Sequence, residues 1–185
     1  MEDYYLEGDD RIANKLKKAL TFEFYRQKKG IDFWHPLKEV INYRRFGFDT
    51  GPAIQHCGAF TTGIEMLGSQ EQIDYWVPLC KQMKVFGCYA QTELGHGSDV
   101  RSLETTAHFD EKEDSFVLNS PTLTSAKFWP GSLGKSANHA MVFAQTLVKG
   151  KHIGLQSFIV PIRDFDNHAA LPGITVGDIG PKLGF

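Results

Sequence analysis

The sequence has few cysteines, and they form no recognisable metal or disulfide pattern. Only Cys57, Cys80 and Cys88 occur, an odd number without Cys-x-x-Cys spacing. Neither a disulfide framework nor a zinc knuckle is indicated, and a reducing compartment fits this composition better. No stretch approaches the roughly 18 consecutive apolar residues that indicate a membrane-spanning helix.

An excess of charge of one sign is also missing. The 185 residues include 20 Lys and Arg against 22 Asp and Glu, for a formal net charge of −2. This balance excludes a bulk electrostatic attraction to nucleic acid or to an anionic membrane surface. The acidic start Met1–Tyr4 is neither a signal peptide nor an Arg-rich transit peptide, and the last residues are not a peroxisomal address.

The first part of the chain has helical spacing. Apolar residues make up 42% of the sequence, enough for the core of one ordinary domain or two small ones. Before about Lys84 they recur three and four positions apart, which is typical of amphipathic helices. Four helices are predicted: one from about Ile12 past Leu20, one over Pro36–Arg45, one over Pro52–Leu67 that ends at Gly68, and one opened by the capping box Ser69–Gln72.

After Lys84 the pattern changes to short runs of β-branched and aromatic residues. Five strands are predicted: Val85–Thr92, Glu104–Phe109, Ser115–Leu118, Ala140–Thr146 and Ile153–Val160. The acidic run Asp110–Asp114 is interpreted as a solvated hairpin turn. The sequence therefore predicts an α+β protein with a helical domain over residues 1–84 and a β domain over residues 85–185. Because turn residues end the chain with no strand after them, we expect a β domain that is cut short.

Several short motifs resemble known sites but lack the required context. Gly95–Val100 begins like a dinucleotide-binding fingerprint, but Val100 replaces the last glycine and no helix is predicted after it. Leu133–Ser136 resembles the end of a phosphate-binding loop, yet Trp129 occupies the position of its first glycine. His96, Ser98 and Asp99 lie too close together on one loop to converge as a catalytic triad. These readings are rejected, and no metal site is predicted.

Two loops combine glycines with hydroxyl, amide and aromatic side chains. They are Tyr89–Asp99, at the end of a predicted strand, and Thr124–Lys135. Such loops bring backbone N–H groups close to a planar polar ring system while an aromatic side chain covers one face. Glycine-rich connections between strands are also common as ordinary turns, so both interpretations stay open at this point.

The β part closely resembles the acyl-CoA oxidase family, flavin-dependent relatives of the acyl-CoA dehydrogenases. The resemblance is carried by Tyr89–Gly97, Leu103–Ala107, Leu118–Thr122, Trp129–Gly131, Gly134-Lys135, Asn138–Ala140 and Pro172–Lys182, in the order and spacing of the family. The helical part, from about Ile12 to Lys84, is similar to the N-terminal helical domain of the family. The resemblance implies a helical domain followed by an antiparallel β-barrel-like domain of the acyl-CoA dehydrogenase type.

The resemblance also implies which residues meet the cofactor, FAD. By position, Thr92 contacts the flavin through its hydroxyl or amide, Gly131 lies where the second loop approaches the ring, and Trp129 lies where relatives place an aromatic side chain against it. Gln91 is a neighbour of this group. The family usually has two Trp before the Pro and two Gly after it, where this chain has Phe128-Trp129 and Gly131-Ser132.

The activity implied by the resemblance is the α,β-dehydrogenation of a fatty acyl-CoA to trans-2-enoyl-CoA. FAD takes the hydride and O2 is reduced to hydrogen peroxide, in a peroxisomal enzyme that is a homodimer. Family enzymes are much longer and carry the catalytic base in their C-terminal half, so neither Glu93 nor Glu104 is assigned that role. Two alternatives stay open: a non-catalytic assembly subunit, and a short enzyme completed by a second chain.

Overall fold

A computed structural model describes Lys28 and residues 54–180. The helices predicted near Ile12 and over Pro36–Arg45 lie outside these residues. The elements in order are a π-helical turn His56–Thr61, helices α1 (Thr62–Leu67) and α2 (Gln70–Lys81), strand β1 (Gly87–Ala90), a 3-10 turn Val100–Ser102, and strands β2 (Thr106–Asp110), β3 (Ser115–Asn119), β4 (His139–Val148) and β5 (Lys151–Pro161).

The third predicted helix is confirmed over its described residues. From Ile54, the first described residue of this segment, the backbone is helical, passes through the π-helical turn and continues as α1. Gly68 ends it with extended backbone rather than the left-handed conformation common at helix ends. Glycine fits there because a Cβ would lie 2.7 Å from the carbonyl oxygen of Ile64, which accepts the Gly68 N–H.

Helix α2 begins at the predicted capping box. The Gln72 amide donates to Ser69 Oγ at 3.3 Å, and the Ser69 amide donates to Gln72 Oε1 at 2.9 Å. Each side chain thereby satisfies a backbone N–H that has no partner within the helix. The buried residues Val77 and Cys80 of α2 face the core, as the spacing predicts.

All five predicted strands are present, and they form one mixed sheet around β4. The antiparallel strand β5 pairs along the whole of one edge of β4. The opposite edge is shared: β1 pairs with its first half and β2 with its second half, both in parallel, and β3 pairs with β2 in an antiparallel hairpin. The turn between β2 and β3 is the predicted acidic run.

The α+β fold class is confirmed, and the sheet is mixed: β1 and β2 run parallel to β4, where the resemblance implies an antiparallel β domain. Long connections separate β1 and β2 from β4, and such crossovers let a chain return in the parallel direction. Only the local connections are hairpins. Between β4 and β5, Lys149 and Gly150 both have positive φ, 52° and 74°, the backbone of a two-residue hairpin turn.

The helices and the sheet share one hydrophobic core in the described part of the chain. Phe60, Ile64, Val77 and Cys80 from the helices pack in one cluster with Val85, Leu103, Met141 and Phe143 from the β part. The Phe60 ring comes very close to the backbone of Gly87, where a Cβ would lie 2.2 Å from two ring atoms. A division into domains at residue 84 stays a prediction, and this core crosses it.

His56, in the π-helical turn, forms hydrogen bonds to both α2 and β1. It is fully buried, accepts the Gly87 amide at Nδ1 (3.0 Å) and contacts the Cys80 carbonyl through Nε2 at 3.2 Å. These two bonds assign the proton to Nε2. Burial lowers the pKa of His56, and the bond to the carbonyl only partly opposes this, so the neutral imidazole is the form that fits.

Replacing Gly87 with Ala should destabilise the chain severely. Because the new Cβ meets ring atoms of the fully buried Phe60, we expect a loss of at least about 3 kcal/mol in the free energy of unfolding, measured by urea denaturation. Gly58→Ala is the matched control: nothing lies within 4 Å of a Cβ there, and Ala in a helix should add about 0.5–1 kcal/mol. Equal midpoints for both variants would show that Phe60 moves aside.

The free energy of unfolding should also fall as the pH drops below the pKa of an unperturbed histidine side chain, about 6.5. Since the folded-state pKa of His56 is lowered, the unfolded chain takes up the proton first below about pH 6.5, at a cost of up to about 1.4 kcal/mol per pH unit. Burial lowers the pKa of His139 in the same direction. His56→Gln should flatten the decline between pH 7.5 and 5.5 in urea denaturation. An unchanged decline in His56→Gln would contradict this assignment.

Candidate functional site

The two glycine-containing loops lie side by side, joined by backbone hydrogen bonds. Glu93 and Lys127 form an antiparallel bridge. Leu94 N donates to Ala126 O at 2.9 Å, and Phe128 N donates to Thr92 O at 3.0 Å. The loops therefore form a short ladder that brings the end of β1 next to the Trp129 segment, although the residues are far apart in sequence.

The Glu93 carboxylate is buried at the centre of this ladder. Its side chain is 0% exposed. Oε2 accepts the Glu104 amide at 2.7 Å, and Oε1 accepts the Thr105 amide (2.9 Å), the Thr105 hydroxyl (2.6 Å) and Lys127 Nζ (3.0 Å). Burial alone would raise the pKa of Glu93, but the hydrogen bonds outweigh it and the pKa is lowered. Glu93 is therefore an ionised structural anchor, not an accessible base.

Lys127 carries the opposite charge from the second loop. Besides Glu93, its ammonium donates to the carbonyl oxygens of Gln91 at 3.2 Å and Phe143 at 2.7 Å. Burial lowers the pKa of Lys127, and the Glu93 carboxylate opposes that shift. A single side chain thus connects the second loop to the first loop and to β4.

Gln91 and Thr92 lie at the start of the first loop, directly after β1, and both are half-buried. Their carbonyl oxygens are used by Lys127 and Phe128. Within residues 54–180, neither the Thr92 hydroxyl nor the Gln91 amide group has a hydrogen-bond partner. The ladder brings the backbone of these two residues close to the segment that precedes Trp129.

Trp129 is exposed and has unusual backbone geometry. Its φ is +76°, a region that large residues rarely adopt, and its side chain is 66% exposed. The indole packs edge-to-face against the Phe128 ring, with 5.7 Å between the two ring centroids. Ser132 also has positive φ, +72°, at the position where the family usually has its second Gly. The departure at Ser132 therefore places a side chain where the backbone favours glycine.

Gly131 approaches the helical part of the protein. A Cβ at this position would lie 2.6 Å from Cγ of Gln55, whose side chain is exposed. The second loop thus meets the start of the described helix, so the flexible Gln55 side chain lies beside the position predicted to approach a cofactor.

A second polar group lies beside the first loop at the surface. His96 Nε2 lies 2.9 Å from Glu104 Oε1, and Thr122 Oγ1 donates to Glu104 Oε2 at 2.5 Å. Asp99 instead accepts from Ser102. The rejected triad is absent from the described loop, since His96 and Asp99 have different partners, and the segment after Gly97 is a single 3-10 turn rather than the helix of a dinucleotide site.

An apolar groove lies beside the start of the first loop. It has a volume of about 310 Å³ and runs between the π-helical turn, α1 and the Tyr89 ring. Its lining residues are Gly58, Ala59, Thr62, Gly63, Met66, Leu67 and Tyr89. Small residues leave space along the helix, and π-helical turns occur frequently at functional sites.

Sequence reasoning missed Lys127, Thr105 and Gln55. Lys127 stands within the second loop, but a lysine in a loop is usually a solvated surface residue, and only the position of Glu93 makes it a buried partner. Gln55 belongs to a helix distant in sequence from Gly131. None of the three carries a local signal, because each matters through a contact across the fold.

Comparison with known proteins identifies the family. A family model described as "Acyl-coenzyme A oxidase N-terminal" matches residues 1–86, and one described as "Acyl-CoA dehydrogenase, middle domain" matches residues 88–185. Peroxisomal acyl-coenzyme A oxidase 1 of Bos taurus is 55% identical over 186 residues, which cover 98% of this chain and 27% of that protein. The chain belongs to the acyl-CoA oxidase family.

Solved acyl-CoA oxidase structures agree. The enzyme from Lycopersicon esculentum (tomato) matches with a TM-score of 0.88 and 42% identity over 97% of this chain and 27% of that one. Acyl-CoA oxidase-2 of Caenorhabditis elegans, solved with bound FAD, ascaroside-CoA and ATP, matches with a TM-score of 0.80 and 38% identity over 92% and 27%. The chain thus resembles the N-terminal part of acyl-CoA oxidases and spans little more than a quarter of their length. Among its described residues, no helix is long and apolar enough to cross a membrane.

Proposed function

We propose that this chain forms the flavin-facing and acyl-facing part of an acyl-CoA oxidase. The observation that carries the proposal is the ladder between the two loops, in a chain of this family. It brings the backbone of Gln91 and Thr92 next to the segment that exposes Trp129, and the side-chain amide of Gln91 and the hydroxyl of Thr92 have no partner in the described protein.

These residues fit FAD in their chemistry. The flavin ring is planar, with polar atoms along its edge and π-faces above and below. A hydroxyl, an amide and backbone N–H groups suit the edge, and an exposed indole suits a face. Thr92, Gln91, Trp129 and the backbone at Gly131 would hold the ring. When bound, FAD would supply the hydride acceptor for α,β-dehydrogenation of acyl-CoA and the electrons that reduce O2 to hydrogen peroxide.

The apolar groove is the proposed site for the fatty acyl chain. Its walls are small or aliphatic side chains, and Tyr89 at one wall lies in β1 only a few residues before Thr92. An alkyl chain in this groove would be removed from water next to the proposed flavin site. Burial of methylene groups is worth about 0.8 kcal/mol each, so a groove of this kind favours a fatty acyl substrate over a small polar one.

The catalytic base is not proposed from this chain. Glu93 is buried and fully engaged, and Glu104 is paired with His96 and Thr122. We propose that the base comes from a part of the protein outside residues 1–185. We further propose that the enzyme is a homodimer and that it is peroxisomal; the names of its relatives support the compartment. A non-catalytic assembly subunit is the alternative, and no contact in the described residues favours it.

A chimera tests the proposed function. Residues 1–185 of this chain replace the matching part of the Bos taurus relative, and peroxide release is measured with medium-chain and long-chain acyl-CoA. We expect FAD to copurify and peroxide to form, whereas the 185-residue chain alone with added FAD should release none, because loss of a base typically costs about 10²–10⁴-fold in rate. A folded chimera without flavin or turnover would contradict the proposal. Robust turnover by the short chain alone would instead place a base within it.

The role of Gly131 can be separated from its contact with Gln55. In the chimera, Gly131→Ala places a Cβ against both the Gln55 side chain and the proposed ring position. Adding Gln55→Ala removes the two Gln55 atoms nearest to that Cβ. If Gly131 approaches the flavin, the double variant should still lose FAD on gel filtration, and Gln55→Ala alone should retain it. Full recovery of FAD in the double variant would show that Gly131 only accommodates Gln55.

A further inference from the structure

We propose that the buried Glu93–Lys127 ion pair positions the two loops so that Thr92 and Trp129 meet the same flavin ring. This inference rests on the proposed function and adds two positioning residues to it. Neither residue needs to touch the cofactor. Glu93 directly follows Thr92, and Lys127 precedes Trp129 by two positions, so the pair connects the two proposed ring contacts at short range along each loop.

The contacts of Lys127 allow one arrangement of the second loop. A lysine ammonium has three N–H donors, and here there are three acceptors: Glu93 Oε1, Gln91 O and Phe143 O. Two acceptors belong to the first loop and one to β4, the central strand. If the second loop slipped along the first, the ammonium would lose acceptors while it stayed buried. Such a slip is costly because a buried charge needs its partners.

The contacts of Glu93 fix the other side of the pair. Its carboxylate takes backbone N–H groups from Glu104 and Thr105, the residues that lead into β2. The pair therefore ties four segments together at one point: both loops, the entry to β2, and β4. The backbone ladder alone lacks this property, since it joins only the two loops.

A buried ion pair is not explained by stability alone. Removing two charges from water offsets much of their attraction, and well-packed apolar residues often serve stability as well or better. Buried pairs are better attested as devices that select one register. At this position the selected register determines how far the exposed Trp129 ring stands from Thr92. Loop positioning is therefore the role that the geometry supports.

The test uses the chimera and three variants. Lys127→Met removes the charge and keeps the length of the side chain. Glu93→Gln removes the opposite charge. Lys135→Met is the control, because Lys135 is an exposed lysine of the same loop. The first readout is the dissociation constant for FAD, measured by flavin fluorescence. We expect it to rise at least about tenfold in Lys127→Met and Glu93→Gln, and less than about twofold in Lys135→Met.

Two further readouts separate positioning from stability. The visible circular dichroism of the flavin is recorded at saturating FAD, where a merely less stable protein would give the spectrum of the unmutated chimera. Amide hydrogen exchange is measured on the 185-residue chain without FAD. We expect an altered flavin spectrum, and faster exchange at Leu94, Gly95 and Phe128 with no change in α2.

The outcomes are distinguishable. If the unmutated chimera does not bind FAD, the proposed function fails and this inference falls with it. If that chimera binds FAD and Lys127→Met keeps its affinity, flavin spectrum and loop exchange, only the positioning role is overturned. If both charge variants fail to fold, the pair is a determinant of the fold and the positioning role is likewise overturned.

Discussion

The contact of Phe60 with the backbone of Gly87 is the constraint on which much of this structure depends. A Cβ at position 87 would overlap the Phe60 ring, so the ring packs this close to β1 only because Gly87 has no side chain. His56, four residues earlier, adds a hydrogen bond to the same glycine. Together they bring β1 into one core with the helices, and β1 then leads directly into Gln91 and Thr92.

The two features that carry the proposed function meet at β1. On one side, Tyr89 forms a wall of the apolar groove against the helix. A few residues later, the backbone meets the second loop and becomes half of the polar site. The geometry of the groove and that of the loops are therefore not independent. Both depend on the position of β1, which Phe60 and His56 contact.

The sequence predicts the local features well. The Ser69 capping box, the five strands and the acidic hairpin turn are confirmed, since each depends on residues within a few positions of one another. The sequence does not predict the parallel pairing of β1 and β2 with β4, because no nearby residue specifies a partner that far along the chain. For the same reason the sequence does not predict the role of Lys127, which depends on contacts with Glu93 and Phe143 across the fold. It also does not predict the positive φ of Ser132, because serine occupies a position where the backbone favours glycine. The site residues that composition and spacing leave open come from the family resemblance, and they stay a prediction.

The unequal connections of β4 have a consequence for the order in which the sheet assembles. The hairpin with β5 closes through Lys149 and Gly150, whereas residues 91–138 separate β1 from its place on β4. Closing a long loop costs more chain entropy than closing a short one, so contacts near in sequence form with less delay. On a ribosome, β1 emerges early and has no strand to pair with until β4 has been synthesised. The helical part has already been synthesised at that stage and can pack against β1. The contact between the Phe60 ring and the backbone of Gly87 is where this packing occurs.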